Sequence, residues 1–438
     1  MSIERNTEDV VEQLNAIRIE SWPRSKHATY GADTEVGTTL LKREACTPNT
    51  RTSIRKKIQR WVQDPLPDAP RVFWLTGHAG SGKSTIAFSI AQHYGKNSDL
   101  LAANFFCSRQ FADTRSRKYI IPSIVYQLAR HSSSFRRALV AINQFGAPDE
   151  PDEQLNTLLV EPWKECLRQR QFQIPSFLVV VDALDEIADS EGSIFLQELL
   201  GVISDGHLAG LRFLVTSRPD SDIVALCESF PPNAVCRLHQ VDMDDVSGDI
   251  RMFLHAKLPA LKDQPQLEEV ARRSRGFFIY AATAVRYATP RSKMNPGEQL
   301  SLLDKFLGSG PNSRDRFLLD KLYRQILGAA FSDLEEEQFR PRLRILHAIL
   351  SIPSALSVRT IAQLDPVFSE NLVEIVVKDL HAVLYIQDNK IYSYHSSFPD
   401  FIFDSKRSRF KFRGSGGRRW TADVSCGRDA RLGFMQRL

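Results

Sequence analysis

Residues 77–84 read Gly-His-Ala-Gly-Ser-Gly-Lys-Ser and fit the pattern G-x-x-x-x-G-K-[ST] at every specified position. Their surroundings matter as much as the match. Arg71–Thr76 is a short apolar run with the character of a buried strand, and Thr85–Ala91 continues as a helix. Strand, glycine-bearing loop and helix in that order call for an α/β fold with the loop at the carboxyl end of a parallel strand. The backbone amides of Gly77, His78, Ala79, Gly80, Ser81 and Gly82 then converge on phosphate oxygens, aided by the partial positive charge of the new helix end. Lys83 reaches the β- and γ-phosphates, and Ser84 is left to hold Mg²⁺.

Such a loop needs an acidic partner. Phe177–Asp182 is a fully apolar run ending in a carboxylate, followed at once by Ala183, Leu184, Asp185 and Glu186. Asp182 is placed to support the metal through water, while Asp185 or Glu186 can orient and deprotonate an attacking water. The next apolar run, Leu211–Ser217, ends at Arg218, which reads either as a sensor of the γ-phosphate or as a solvated charge. His395, in the run Tyr394–Phe401, reads from position alone as a packing residue more readily than as a ligand contact. No Asn/Thr-Lys-x-Asp sequence follows the strands, so ATP and ADP are favoured and GTP stays open.

Composition narrows the setting. With 42% hydrophobic and 25% charged residues, the 438-residue chain has the make-up of a globular protein of two or three domains. Its apolar runs fall far short of the roughly 20 residues of a membrane span, and residues 1–9 lack a basic-then-apolar leader, so a cytoplasmic location is expected. Six cysteines, at 46, 107, 166, 227, 236 and 426, form no C-x-x-C pair, which favours reduced thiols over a metal or disulfide framework. The net charge of +5 is deceptive. From Ser405 onward ten Lys and Arg face two Asp, a surplus of +8, so the rest of the chain carries −3 and makes no general case for a polyanion partner.

The pattern predicts a short amphipathic helix over residues 9–19, a linker or irregular lead-in over 22–48 and a helix over 52–62. Strands follow at 71–76, 101–107, 177–182, 211–217 and 234–238, interleaved with helices at 121–130 and 153–170. Beyond 246 helical periods dominate, including 270–287 and 316–327. Residues 356–404 then read as two short helices and a hairpin joined by Asp388-Asn389, a winged-helix order. The expected domains are 1–45, 46–245, 246–352 and 353–404, with 405–438 as a basic, disordered tail.

Taken together these motifs resemble the NACHT-type signal-transduction ATPases, the fungal members above all. The matching stretches are Cys46–Arg51, Phe73–Ala87, Phe105–Arg109, Val181–Glu186, Val215–Pro219, Gly276–Ala284 and His395–Phe401, in family order. The resemblance implies a P-loop NTPase core of the AAA+/STAND kind, followed by helical and winged-helix domains. It implies a switch in which a nucleoside diphosphate holds a closed form and exchange for triphosphate drives opening and homo-oligomerisation, with slow turnover. In that picture Lys83, Ser84 and Thr85 bind phosphates and Mg²⁺, Asp182 supports the metal, Asp185 and Glu186 serve hydrolysis, Arg218 senses the nucleotide and His395 contacts the diphosphate.

Two other readings stay open. A DNA-associated AAA+ ATPase also combines such a core with a winged helix, but residues 370–380 carry Glu370, Glu374 and Asp379 against Lys378, the wrong sign for a helix approaching phosphates. A non-hydrolysing scaffold that uses nucleotide as structural glue is the second.

Overall fold

The computed structural model describes residues 19–20, 22–29, 43–66, 68–143, 148–168, 176–228, 230–241, 243–290, 294–308, 318–331, 334–352, 354–404 and 407–408. The helix expected before residue 19 and most of the basic tail lie outside them. The chain divides into two compact units, Met1–Asp242 and Met243–Leu438.

The first unit is built on a five-stranded sheet. Helix α1 (Thr52–Val62) leads into β1 (Val72–Thr76), then α2 (Lys83–Asn97), β2 (Leu101–Phe106), α3 (Ile120–His131) and α4 (Ser133–Ile142). An irregular helical run from Pro151 ends in α5 (Glu161–Arg168), followed by β3 (Phe177–Asp182), α6 (Glu191–Ser204), β4 (Leu211–Ser217), α7 (Ser221–Cys227) and β5 (Val235–Arg237). The strand order is β2-β3-β4-β1-β5, every pair parallel. One strand, β4, therefore separates the strand before the glycine loop from the strand that ends in Asp182. This is an α/β P-loop fold.

The apolar runs are continuous because both faces of the sheet are covered. Val72, Trp74, Val179, Val181, Phe213 and Val215 point into one buried cluster with α3, α4 and α6, whereas Phe73, Leu75, Leu178, Val180 and Leu214 join the other with α1 and α2. Burying each such side chain is worth about 1.5–3 kcal/mol. Residues 178, 180 and 182 share one face, so the strand's own alternation turns Asp182 toward the side that carries α2.

The lead-in is more than a linker. Trp22 and Ala28 are buried in the sheet's core, and the Phe106 amide donates to the Ala28 carbonyl at 2.7 Å, capping the free edge of β2. The Ser25 hydroxyl and the His27 ring both bond the Asp113 carboxylate at 2.8 Å.

The second unit contains α8 (Met243–Lys257), α9 (Pro265–Ser274), α10 (Phe278–Ala288), α11 (Pro296–Gly308), α12 (Leu318–Phe331) and α13 (Glu336–Ser351). The single helix expected over 270–287 is two, because Arg275 and Gly276 take φ of 45° and 81°, a left-handed C-cap that ends α9. Then come α14 (Val358–Ala362), α15 (Glu370–Asp379), the antiparallel pair β6 (Leu384–Gln387) and β7 (Lys390–Ser393), and α16 (Ser397–Phe403). Asp388 and Asn389 at φ 50° and 59° form a two-residue turn whose twist suits the hairpin. No helix among the described residues is long and apolar enough to cross a membrane.

Candidate functional site

The glycine loop connects β1 to α2 as the pattern requires, and each glycine has a separate reason to be there. Gly80 and Gly82 sit at φ 77° and 96°. A β-carbon on Gly77 would come within 2.8 Å of the Ser81 hydroxyl and 2.9 Å of the Leu238 side chain. Around Gly82 nothing lies within 4 Å of such an atom, so one side of the loop is open.

Lys83, in the first turn of α2, is only 8% exposed. Its ammonium donates to the Gly77 carbonyl at 2.7 Å and the His78 carbonyl at 3.2 Å. Burial lowers its pKa; Asp185, Asp182 and Glu186 oppose that shift, and Arg218 adds to it. These three carboxylates and Arg218 thus share one electrostatic neighbourhood with the lysine, although they are about 100 residues or more away in the chain.

Asp182 closes β3 beside the end of β4. The Thr216 hydroxyl donates to its carboxylate at 2.6 Å and accepts from the Ala183 amide at 2.9 Å. Burial raises the Asp182 pKa, against the opposing pull of Arg43, the hydrogen bonds from Thr216 and Ser84, and Lys83. Ser84 and Asp182, the two side chains expected to share a metal, therefore lie near each other where α2 begins and β3 ends.

After Asp182 the chain turns through Ala183 at φ 59° into a short turn, Leu184–Glu186. Asp185 is gripped by Arg218, which bonds one carboxylate oxygen through Nε and the other through its backbone amide, each at 2.9 Å. Glu186 accepts from the Arg109 amide at 3.2 Å. The carboxyl end of the sheet therefore gathers Lys83, Ser84, Asp182, Asp185, Glu186 and Arg218.

His395 belongs to the second unit, where it caps α16. Its Nδ1 accepts from the Ser397 amide at 3.0 Å and pairs with the Ser397 hydroxyl at 2.7 Å, and that hydroxyl meets the Tyr323 phenol at 2.6 Å. Because the amide can only donate, Nδ1 is the acceptor and the ring proton sits on Nε2.

Several residues at the site escaped the sequence reading. Arg43 bonds the Phe106 and Cys107 carbonyls at 3.4 and 3.3 Å, lies over the Phe106 ring and is the largest favourable charge on Asp182. Arg51 donates to the Ser81 carbonyl at 2.9 Å. Asp220, whose carboxyl is pushed up by burial and by Asp185, occupies the N-cap position of α7 without a side-chain capping bond. Arg43 and Asp220 stand in no motif with a spacing rule, and Arg51 enters the sequence reading only as the end of the matching stretch Cys46–Arg51, with no role given to it.

The donor set suits a triphosphate with Mg²⁺. The Ser81 hydroxyl, on the Gly77 side of the loop, is buried without a hydrogen-bond partner among the described residues. A hydroxyl and one carboxylate, Ser84 and Asp182, match a hard cation that keeps waters and shares phosphate oxygens. Among the described residues there is no group of three or more His, Cys, Asp or Glu that could hold a metal by themselves.

Residues 51–218 match the family model of the nephrocystin 3 N-terminal region. No curated protein matches the chain. Among solved structures, a Walker-type ATPase of Pyrococcus abyssi is 13% identical, with 82% of this chain and 98% of that chain covered at a TM-score of 0.38. Domain III of the Thermotoga maritima replication initiation protein DnaA is 12% identical over 60% of this chain and 93% of its own, at 0.32. A Thermotoga maritima RuvB variant is 12% identical over 81% and 95%, at 0.31. This chain is an α/β P-loop protein, a conclusion carried by its strand order and by the loop between β1 and α2.

Proposed function

We propose that the chain is a nucleotide-operated switch that binds ATP or ADP with Mg²⁺ at Gly77–Thr85, hydrolyses the triphosphate slowly and couples its loss to closing and opening of a self-associating form. One observation carries this reading: the buried Lys83 ammonium lies on loop carbonyls in the field of Asp182, Asp185, Glu186 and Arg218. A structural lysine has no need of that setting.

In this reading the loop amides and Lys83 hold the β- and γ-phosphates, while Ser84 and Asp182 hold Mg²⁺, which when bound neutralises charge developing on the phosphate oxygens. The two remaining carboxylates separate by their partners. Asp185 is committed to Arg218 by two bonds, so Glu186 is the general base for water and Asp185 positions the arginine. Arg218, on turning from Asp185 to a γ-phosphate, would report whether that phosphate is present. The NACHT resemblance extends this to an immunity-type signalling switch with a winged-helix-like α14–β7 module, in which His395 meets the diphosphate. Nε2 is the atom with the proton to donate.

DNA as the partner is disfavoured by the exposed face of α15, where Glu370, Glu374 and Asp379 outnumber Lys378. Mass spectrometry of the nucleotide released from the purified chain, with light scattering in ADP and in a non-hydrolysable ATP analogue, tests the proposal. A larger particle with the analogue than with ADP is expected; a chain that binds neither nucleotide ends the reading.

A further inference from the structure

We infer that Arg51 is a positioning residue for the phosphate loop, aiming the Gly82 amide at the phosphate by holding the Ser81 carbonyl from behind. The inference rests on the nucleotide reading above. Arg51 lies 30 residues before Ser81, at the N-cap of α1, and is only 4% exposed. Its guanidinium donates to the Ser81 carbonyl at 2.9 Å.

The Ser81 carbonyl and the Gly82 N–H belong to one peptide plane. A trans peptide points them in opposite directions, so a donor fixed on the carbonyl directs the amide away from Arg51, to the other side of the loop. Gly82 is the N-cap of α2, and its amide stands at the helix end where a phosphate gains most from backbone N–H groups. Being permanently charged, Arg51 also adds a positive potential beneath that end. Its charge reaches Cys236 on β5, where it opposes the burial that raises the thiol's pKa.

Two further features show that Arg51 is held in place. Its own backbone sits at φ 53°, a left-handed conformation that a side-chain-bearing residue keeps only where its surroundings over-determine it. Just upstream, the Cys46 amide donates to the Ser89 hydroxyl on α2 at 2.7 Å and Thr50 closes a turn onto the Thr47 carbonyl. The segment carrying the arginine is tied to the helix that carries the loop.

The test uses the full chain and a graded series, Arg51→Lys, Arg51→Gln and Arg51→Met, beside wild type and Lys83→Ala, with ADP and ATP affinity read by calorimetry and the fold read by melting without nucleotide. Losing a charge-assisted bond predicts affinity weakened about tenfold or more in Arg51→Met, with Arg51→Lys recovering most of it and Arg51→Gln between. A purely structural role would shift melting without ordering affinity by donor and charge. Folded variants that bind as wild type does, or a lysine variant no better than methionine, overturn the inference while Lys83→Ala still loses binding. Wild type that binds neither nucleotide overturns the nucleotide reading itself. Should Arg51→Met fail to fold, the order of Arg51→Lys against Arg51→Gln decides the matter.

Discussion

Arg218 holds Asp185 with two donors at once, its Nε and its backbone amide, each 2.9 Å from a separate carboxylate oxygen. The carboxylate is 3% exposed and the arginine 21%. Arg218→Ala leaves a buried carboxylate with the amide alone, which costs about 3 kcal/mol of local stability. Single-turnover hydrolysis by this variant is expected to fall about tenfold or more, with ADP affinity changed much less. An unchanged hydrolysis rate would remove Arg218 from the chemistry.

Lys83→Ala takes the ammonium away from the Gly77 and His78 carbonyls and from any phosphate they frame. A ligand at 100 times its dissociation constant stabilises a fold by about 2.7 kcal/mol, so the melting increment given by Mg²⁺-ATP to wild type should vanish in the variant. Differential scanning fluorimetry with and without nucleotide reads this directly.

Glu186→Gln keeps the shape and the acceptor for the Arg109 amide while removing the proposed base. Hydrolysis is expected to drop by about 10²–10⁴, with triphosphate binding retained and the assembled form enriched. A variant that stays monomeric in ATP and turns over as wild type does would count against both the base assignment and the switch.

Thr216→Val deletes the donor to Asp182 and the acceptor for the Ala183 amide, at a cost of about 2 kcal/mol at neutral pH. The loss should depend on pH. Burial already raises the Asp182 carboxyl, so that group favours the folded state at low pH and the benefit is lost as pH rises through its folded value. Removing Thr216 raises it further, and the variant's penalty in urea unfolding should shrink on acidification.

Tyr323 is fully buried, and burial pushes its phenol up to about 12, against the lowering effect of Ser397. Its contribution to stability is complete below the ordinary tyrosine value of about 10 and is lost as pH rises from there through about 12. Tyr323→Phe should cost about 1 kcal/mol near neutrality and flatten that alkaline decline, as followed by denaturant unfolding at increasing pH.

Legibility varied with how local the cause was. Phe177–Asp182 and Leu211–Ser217 were readable to the residue, because a strand buried on both faces must be apolar throughout. The helices Ser133–Ile142, Glu191–Ser204 and Ser221–Cys227 did not stand out. The break at Arg275-Gly276 was signalled by the glycine yet overridden by the apolar period on either side. Within the site, the loop, Asp182, Asp185, Glu186 and Arg218 were named from their motifs, Arg51 ended a matching stretch but was given no role, and Arg43 and Asp220 were not named.

The sequence by itself determined the loop, the order of strand and helix around it and the acidic run after β3, because those depend on residue spacing along one stretch of chain. Only the tertiary structure decided which side chains meet. Strand order set Asp182 beside Thr216, the left-handed turn at Ala183 brought Asp185 onto Arg218, and the packing of the N-terminal end of α1 set Arg51 behind Ser81. Those partners lie between 30 and 34 residues apart, and no spacing rule along the chain specifies a hydrogen bond between segments that far apart.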